Sequence, residues 1–392
     1  MDVEYVAGVD AGRTEHGEFV PGPDGSERLA VTVHRRNDYE IMLRAGLAGE
    51  AGEVLGPLVA QLGCPGVCIV TDEIVEALYL PLVEAGLAAS GIPVTSVAVS
   101  AGEKNKGIET LTDVWARFHD LDVRRRTLVI ALGGGVVSDI AGFAAATYMR
   151  GLPYAVMPTT LLSQTDAGIG GKIGIDYLGI KNLLGGFHQP RTVLVDPALL
   201  TTLPVQQLRE GCAEVIKVAM LSHPDYYGAL RAIGTGLLDP VRQDMAAIVS
   251  AAIARKIELL VPDPYEAVSL DRALNLGHCF GHAVEAASDY ELGHGSCVAI
   301  GMALAAALGV EREVTTPASA RDVVGFLDLL GLPVRLDPAL AEPTWRALEH
   351  IRAVRNGPLR PVIPVVPGQW VIGDDVTHRE WTRLARRCVI DE

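Results

Sequence analysis

Four short apolar runs, separated by segments of helical spacing, constrain the fold of this chain more than any other feature. They are Val67–Asp72, Val94–Val99, Thr127–Leu132 and Tyr154–Pro158. Each is continuously apolar rather than alternating, which predicts a strand covered on both faces, and residues 78–90 and 107–119 between them repeat as helices. Strands and helices in alternation build a parallel sheet. After about residue 190 the pattern changes. Segments 205–222, 241–261, 276–288 and 294–312 are rich in Ala and Leu with helical periodicity. The sequence therefore predicts an α/β chain in three parts: a loose, Gly/Pro-rich extension over residues 1–27, a parallel-sheet domain over 28–190, and a mostly helical domain over 191–392.

A length of 392 residues with 49% apolar composition suits two such units. The formal charge of −15 argues against a nucleic-acid backbone as partner, because phosphate tracking needs a basic surface. Any anionic ligand must be caught by a few local cations. Six cysteines are too sparse for a disulfide scaffold, and Cys279 and Cys297, near a histidine cluster, read as small apolar filler. The first residues lack a basic, apolar leader, and no apolar run reaches the ~20 residues of a membrane span. A soluble, cytoplasmic protein is expected.

The chemistry-bearing residues gather in a few stretches. Leu276-Gly277-His278-Cys279-Phe280-Gly281-His282 puts two imidazoles four residues apart, on one face of a helix. His294 follows, and Glu214 lies upstream. Two or three His with one carboxylate suit a divalent metal that keeps an open position. Gly133-Gly134-Gly135 ends a strand and opens a helix, either as a phosphate-binding turn or as an ordinary tight turn. Thr159 and Thr160 end the next strand, where hydroxyls could bond a nucleotide or simply sit in a solvated turn. Asp166, Lys172, Lys181 and Asn182, interleaved with glycine, would suit a phosphorylated polyol. Glu103-Lys104-Asn105-Lys106 by itself reads as a solvated charge run.

Together, and in this order, these pieces resemble the sugar phosphate cyclases, the family that includes 3-dehydroquinate synthase. The resemblance runs through Glu103–Lys106, Gly133–Asp139, Tyr148–Gly151, Pro158–Lys172, Lys181-Asn182, Ala213–Lys217, Asn275–His282 and His294-Gly295, across roughly residues 30–370. It implies a Rossmann-like N-terminal domain holding NAD, a helical C-terminal domain holding a zinc or cobalt ion, and a site in the cleft between them. By motif, Glu214, His278 and His294 resemble the metal ligands. His282 resembles a proton-handling, phosphate-contacting histidine, and Lys172, Lys217 and Glu266 fall in the catalytic region. Arg150, Asp166, Asn182, Lys256 and Asn275 resemble substrate contacts, with Arg150 reaching a neighbouring subunit's phosphate, which implies a homodimer. Asp72, Glu103, Lys106, Gly134, Gly135, Val136, Asp139, Thr159, Thr160, Asp166, Lys172, Lys181 and Thr202 resemble NAD contacts. On this resemblance Glu103–Lys106 is no surface run. The implied chemistry is transient oxidation of a secondary alcohol, loss of phosphate, re-reduction, ring opening and an aldol closure.

Three departures bear on the substrate. Dehydroquinate synthases keep an Arg, four residues before the Asn of this motif, that grips the substrate carboxylate; here the position is Asp271. An Asp facing a carboxylate is repulsive by on the order of several kcal/mol in a desolvated site, whereas it accepts well from hydroxyls. A hydroxymethyl group is expected in place of the acid, as in sedoheptulose 7-phosphate. The neighbouring Arg272 is rotated about 100° away on a helix. The second departure is Asp166-Ala167-Gly168, which resembles the heptulose cyclases. Retention of His282 alongside Asp271 favours a 2-epi-valiolone product over 2-epi-5-epi-valiolone. Finally, the family's late Asp-Lys-Lys is replaced by a stretch in which Arg352 or His350 would take over phosphate binding. The alternatives are 3-dehydroquinate synthase and, from another class, a metal-dependent polyol dehydrogenase.

Overall fold

The computed structural model describes residues 14–16, 20–21, 27–28, 31–33, 37–267 and 273–387. Four short strands lie near the amino terminus: β1 (Thr14–His16), β2 (Val20–Pro21), β3 (Glu27–Arg28) and β4 (Val31–Val33). β1 pairs antiparallel with β4, and β2 with β3.

A six-stranded parallel sheet forms the first half. Its strands are β5 (Glu40–Leu43), β6 (Val67–Asp72), β7 (Val94–Val99), β8 (Leu128–Gly133), β9 (Tyr154–Pro158) and β12 (Thr192–Val195), in the order β5-β12-β9-β8-β6-β7. The helices α1 (Ala51–Leu62), α2 (Glu73–Ala89), α3 (Ile108–Asp120) and α4 (Gly135–Thr147) cross between strands. Successive side chains of a strand enter different cores. Ile69 and Ile130 pack with Leu55, Val83 and Leu87 from α1 and α2, while Val70 and Ala131 pack with Leu111, Phe118 and Ile140 from α3 and α4. Coverage on both faces explains why these strands read as unbroken apolar runs. From β6 the chain pairs outward to β7 and then crosses back to β8 on the other side. Strand order reverses there, and the crevice at the carboxyl ends of β6 and β8 is where such sheets take ligands.

An antiparallel hairpin, β10 (Lys172–Tyr177) and β11 (Ile180–Phe187), leaves the sheet where the sequence suggested a glycine-rich loop. The second half is helical: α5 (Val205–Ser222), α6 (Pro224–Ile233), α7 (Met245–Leu260), α8 (His278–Ala287), α9 (His294–Glu311), α10 (Pro317–Leu329) and α11 (Ala341–Arg355). A small hairpin, β13 (Val362–Val366) and β14 (Gln369–Ile372), and α12 (His378–Arg387) complete it. Among the described residues α9 alone is long and apolar enough to cross a membrane, and it is the buried centre of this half.

Candidate active site

The two predicted regions converge where the carboxyl edge of the sheet meets α5, α8 and α9. Glu214 lies on α5, His278 opens α8, and His294 opens α9. Glu214 Oε1 lies 3.6 Å from His278 Nε2 and 3.5 Å from His294 Nε2. The carboxylate is buried; Oε2 is ion-paired with Lys217, and Oε1 faces the two imidazoles. A tetrahedral ion with bonds of about 2.0–2.2 Å separates its donor atoms by about 3.3–3.6 Å, so Glu214 Oε1 stands at ligand spacing from both imidazole nitrogens. His282, one turn along α8, also belongs to the cluster: donor atoms of His278, His282 and His294 all lie within 4.8 Å of one another.

The other ring nitrogens are fixed. His278 Nδ1 lies 3.2 Å from the Leu276 carbonyl oxygen, and His294 Nδ1 lies 3.2 Å from Glu285 Oε2. An acceptor at Nδ1 holds the proton there and frees Nε2 as a ligand. Burial, then Lys217, pushes His278 down to about 3, and burial with its two imidazole neighbours pushes His282 well below its ordinary value. Both are neutral at pH 7. Burial raises Glu214, but Lys217 and His278 outweigh it and hold it at about 2. Burial and Lys181 lower His294, yet Glu214 and Glu285 raise it to about 9 when no metal is bound.

The start of α9 depends on close packing against α5. Glu210 accepts from the Ser296 amide (2.8 Å) and the Ser296 hydroxyl (2.6 Å), so a buried carboxylate caps the helix that carries His294. A Cβ on Gly295 would lie 2.1 Å from the Glu210 carbonyl oxygen, so only glycine permits this approach.

Around the cluster stands a ring of lysines, each with a carboxylate. Lys217 contacts Glu214 and lies 3.9 Å from Asp166 Oδ2. Lys256 Nζ reaches Asp166 Oδ1 at 2.6 Å and donates to the carbonyls of Asp166 and Ile169 at 2.5 and 2.9 Å. Lys172 pairs with Glu266, in the loop after α7. Burial lowers Lys256 despite Asp166, whereas Asp166 and Glu214 overcome burial to raise Lys217. On the other side Lys181 pairs with Glu285 and, at 3.0 Å, with Glu103 Oε1. Lys106, 3% exposed, reaches Asp139 at 2.5 Å and Asn182 Oδ1 at 2.6 Å. Glu103 and Lys106 are therefore part of the cleft, while Lys104 between them is exposed.

At the crevice itself, Gly134 precedes α4 and Gly135 and Val136 open it, with no side chain capping their amides. These amides and the helix dipole form an anion-binding terminus. The buried Thr159 hydroxyl beside them has no partner, as a ligand-facing group would. Thr160 instead accepts from the Ser163 amide and shapes the following turn. Asp72 Oδ1 caps α2 by accepting from Ile74 and Val75. Thr202 is exposed and donates to the Leu199 carbonyl at 3.4 Å.

Some expected residues stand apart. Arg150 is exposed beyond the far end of α4, about 20 Å of helix away from Gly135, and does not join this chain's own cluster. The Arg352 guanidinium donates to Asp375 Oδ1 and the Val376 carbonyl, both at 3.0 Å, and lies over Trp345. These contacts tie α11 to the carboxyl-terminal segment, while the Arg352 Nε is buried without a partner; His350 is exposed. Asn275 sits half-buried in the turn before His278. Asp271 lies outside the described residues. Cys297 is buried filler, its thiol pushed up by burial. Sequence reasoning missed Glu285 and Glu210. Glu285 is seven residues after His278, on the same face of α8, and Glu210 is four before Glu214, so helical spacing held the signal for both.

Residues 96–210 match the 3-dehydroquinate synthase N-terminal family and residues 211–353 its C-terminal family. The chain is 40% identical over 366 residues to a 2-epi-valiolone synthase of Stigmatella aurantiaca, covering 91% of this chain and 90% of that one. It is 38% identical over 366 residues to a 3-dehydroquinate synthase of Agrobacterium fabrum, covering 90% and 95%. The chain belongs to the 3-dehydroquinate synthase family, the sugar phosphate cyclases. Among solved structures it resembles ValA, a 2-epi-5-epi-valiolone synthase from Streptomyces hygroscopicus subsp. jinggangensis with NAD+ and Zn2+ bound, at a TM-score of 0.84 and 32% identity, covering 92% of this chain and 99% of ValA. For a sugar phosphate cyclase, the meeting of an anion-binding crevice, a metal-spaced Glu–His–His set and a lysine ring is the expected equipment.

Proposed function

We propose that this cyclase converts sedoheptulose 7-phosphate to 2-epi-valiolone with loss of phosphate, using NAD and a divalent ion, zinc or cobalt. The need for metal rests on the convergence of Glu214, His278 and His294, with one buried carboxylate oxygen set between two Nε2 atoms. The choice of a polyol over an acid rests on one observation, Asp271 where a carboxylate-binding Arg would stand, and the 40% identity to 2-epi-valiolone synthases supports it. Family membership displaces the polyol dehydrogenase alternative.

When bound, NAD supplies reversible oxidation of a secondary alcohol, and the ion supplies Lewis acidity at that alcohol's oxygen. The chain's own residues do the rest. The α4 terminus, with Asp72 and Thr159, holds the dinucleotide, and Glu103, Lys106, Asp139 and Lys181 fix the wall beside it. Lys172, Asn182, Lys217, Lys256 and Asn275 orient the sugar phosphate, with Asp166 compensating Lys217 and Lys256. Neutral His282 moves the proton that accompanies loss of phosphate. Arg150 serves the phosphate in the site of a second copy, which makes the enzyme a homodimer.

Incubation with sedoheptulose 7-phosphate, NAD+ and zinc should release stoichiometric phosphate without accumulating NADH, and carbon NMR of the product should show the 2-epi-valiolone ring. The runner-up is 3-dehydroquinate synthase, favoured by retention of His282 and by relatives at 38% identity. Phosphate released from the seven-carbon 3-deoxy acid phosphate, and none from sedoheptulose 7-phosphate, would install it instead.

A further inference from the structure

Glu285 is 2% exposed, and both of its oxygens are engaged. Oε2 faces His294 Nδ1 at 3.2 Å, and Oε1 meets Lys181 on β11. Lys181 also reaches Glu103 at 3.0 Å, in the turn after β7 at the carboxyl edge of the sheet. One carboxylate from α8 thus touches a ring on α9 and a cation on a strand of the other half. A free imidazole carries its proton on either nitrogen. Only the Nδ1–H form points a lone pair from Nε2 at the space shared with Glu214 Oε1, 3.5 Å away. A carboxylate at Nδ1 selects that form, fixes the ring plane and raises the basicity of Nε2. Lys181 balances the buried negative charge, without which the carboxylate would be costly to keep ionised.

We propose that Glu285 is a positioning residue for the metal site, setting the tautomer and orientation of His294 while Lys181 anchors its other oxygen. It touches neither the substrate nor the ion. This rests on the reading of Glu214, His278 and His294 as ligands, and the test separates the two.

Zinc affinity is measured by competition with a chromophoric chelator, and cobalt binding by its visible absorption, on the full-length protein and on Glu285→Gln and Glu285→Leu. Gln can still accept from Nδ1 but carries no charge, whereas Leu can do neither. Zinc affinity should fall about tenfold in the Gln variant and up to about a hundredfold in the Leu variant. The cobalt spectrum should change most in the Leu variant as the His294 ring is released. Affinities within threefold of wild type with unchanged cobalt spectra would overturn the proposal. If wild-type protein bound no zinc, the ligand reading itself would fail. Should neither variant fold, nitrogen-15 NMR of histidine-labelled, zinc-loaded wild-type protein decides. Zinc on Nε2 of His294 with a downfield Nδ1 proton supports the proposal, and zinc on Nδ1 refutes it.

Discussion

Gly295→Ala is the sharpest test of how the two halves of the metal site are held together. The added Cβ would lie 2.1 Å from the Glu210 carbonyl oxygen and 2.6 Å from the Glu210 carbonyl carbon and Cα, all backbone atoms of α5 that no rotamer change can move. Reaching the 3.0 Å that real Cβ contacts keep demands a retreat of about 0.9 Å along that direction. His294 is the adjacent residue and Glu214 is one turn from Glu210, so the displacement falls between two of the three candidate ligands. Metal sites tolerate ligand displacements of about 0.2 Å. A loss of zinc affinity of roughly a hundredfold, about 2.7 kcal/mol, is expected, together with about 1–3 kcal/mol of overpacking cost in the metal-free protein. Helix propensity pulls the other way: Ala favours a helix over Gly by up to about 1 kcal/mol. The sign of the stability change therefore discriminates between the two effects. Zinc affinity is read by chelator competition, and stability by urea unfolding after the metal is stripped. A variant more stable than wild type, with zinc affinity within threefold, would refute the claim that this glycine exists for close approach.

Three further outcomes are expected. His278→Ala should abolish zinc retention after gel filtration, and a full complement by elemental analysis would remove His278 from the ligand set. Asp271→Arg should lower kcat/KM for sedoheptulose 7-phosphate by at least tenfold, about 1.4 kcal/mol, through loss of hydroxyl acceptance; an unchanged value would put residue 271 outside the pocket. The chelator-stripped protein should be most stable near pH ~6.5. As pH falls below that, the unfolded chain protonates His278 and His282 while the folded chain keeps them neutral, His278 down to about 3, so the unfolded state binds more protons and stability drops. As pH rises, the stabilisation from His294, complete below its unfolded value, is lost on the way through about 9. A flat melting temperature across that span would contradict both assignments.

How much of this was legible in the sequence depended on whether the signal was local. Val67–Asp72, Val94–Val99 and Tyr154–Pro158 are strands with the bounds their runs predicted; for the first and last, burial on both faces leaves no alternation to misread. The edge strand Glu40–Leu43 escaped notice because it is short and only partly buried. The hairpin of Lys172–Tyr177 and Ile180–Phe187 was hidden by its glycines; Gly174 and Gly185 face each other across the pair with no side chains to give a period of two. The histidine pair was visible because helical spacing is local. The partner of Lys181 is 104 residues distant, and no pattern along the chain announces it. The Arg352–Asp375 pair was invisible for the same reason, since it forms only after the carboxyl-terminal segment folds back.

The same long-range pairing explains how a chain of charge −15 can receive a sugar phosphate. Among the described residues the buried lysines are Lys106, Lys217 and Lys256, and all three lie in this cleft with Lys181 close by. Burying an unpaired ammonium would cost several kcal/mol, so each is matched by a carboxylate: Asp139, Glu214, Asp166 and, for Lys181, both Glu103 and Glu285. Such pairs add little net stability compared with apolar packing of the same volume. Their value is that the cations are already in place, desolvated and oriented, before any anion arrives, so little reorganisation remains to be met on binding. The cost of assembling these cations has thus been absorbed in folding rather than in turnover.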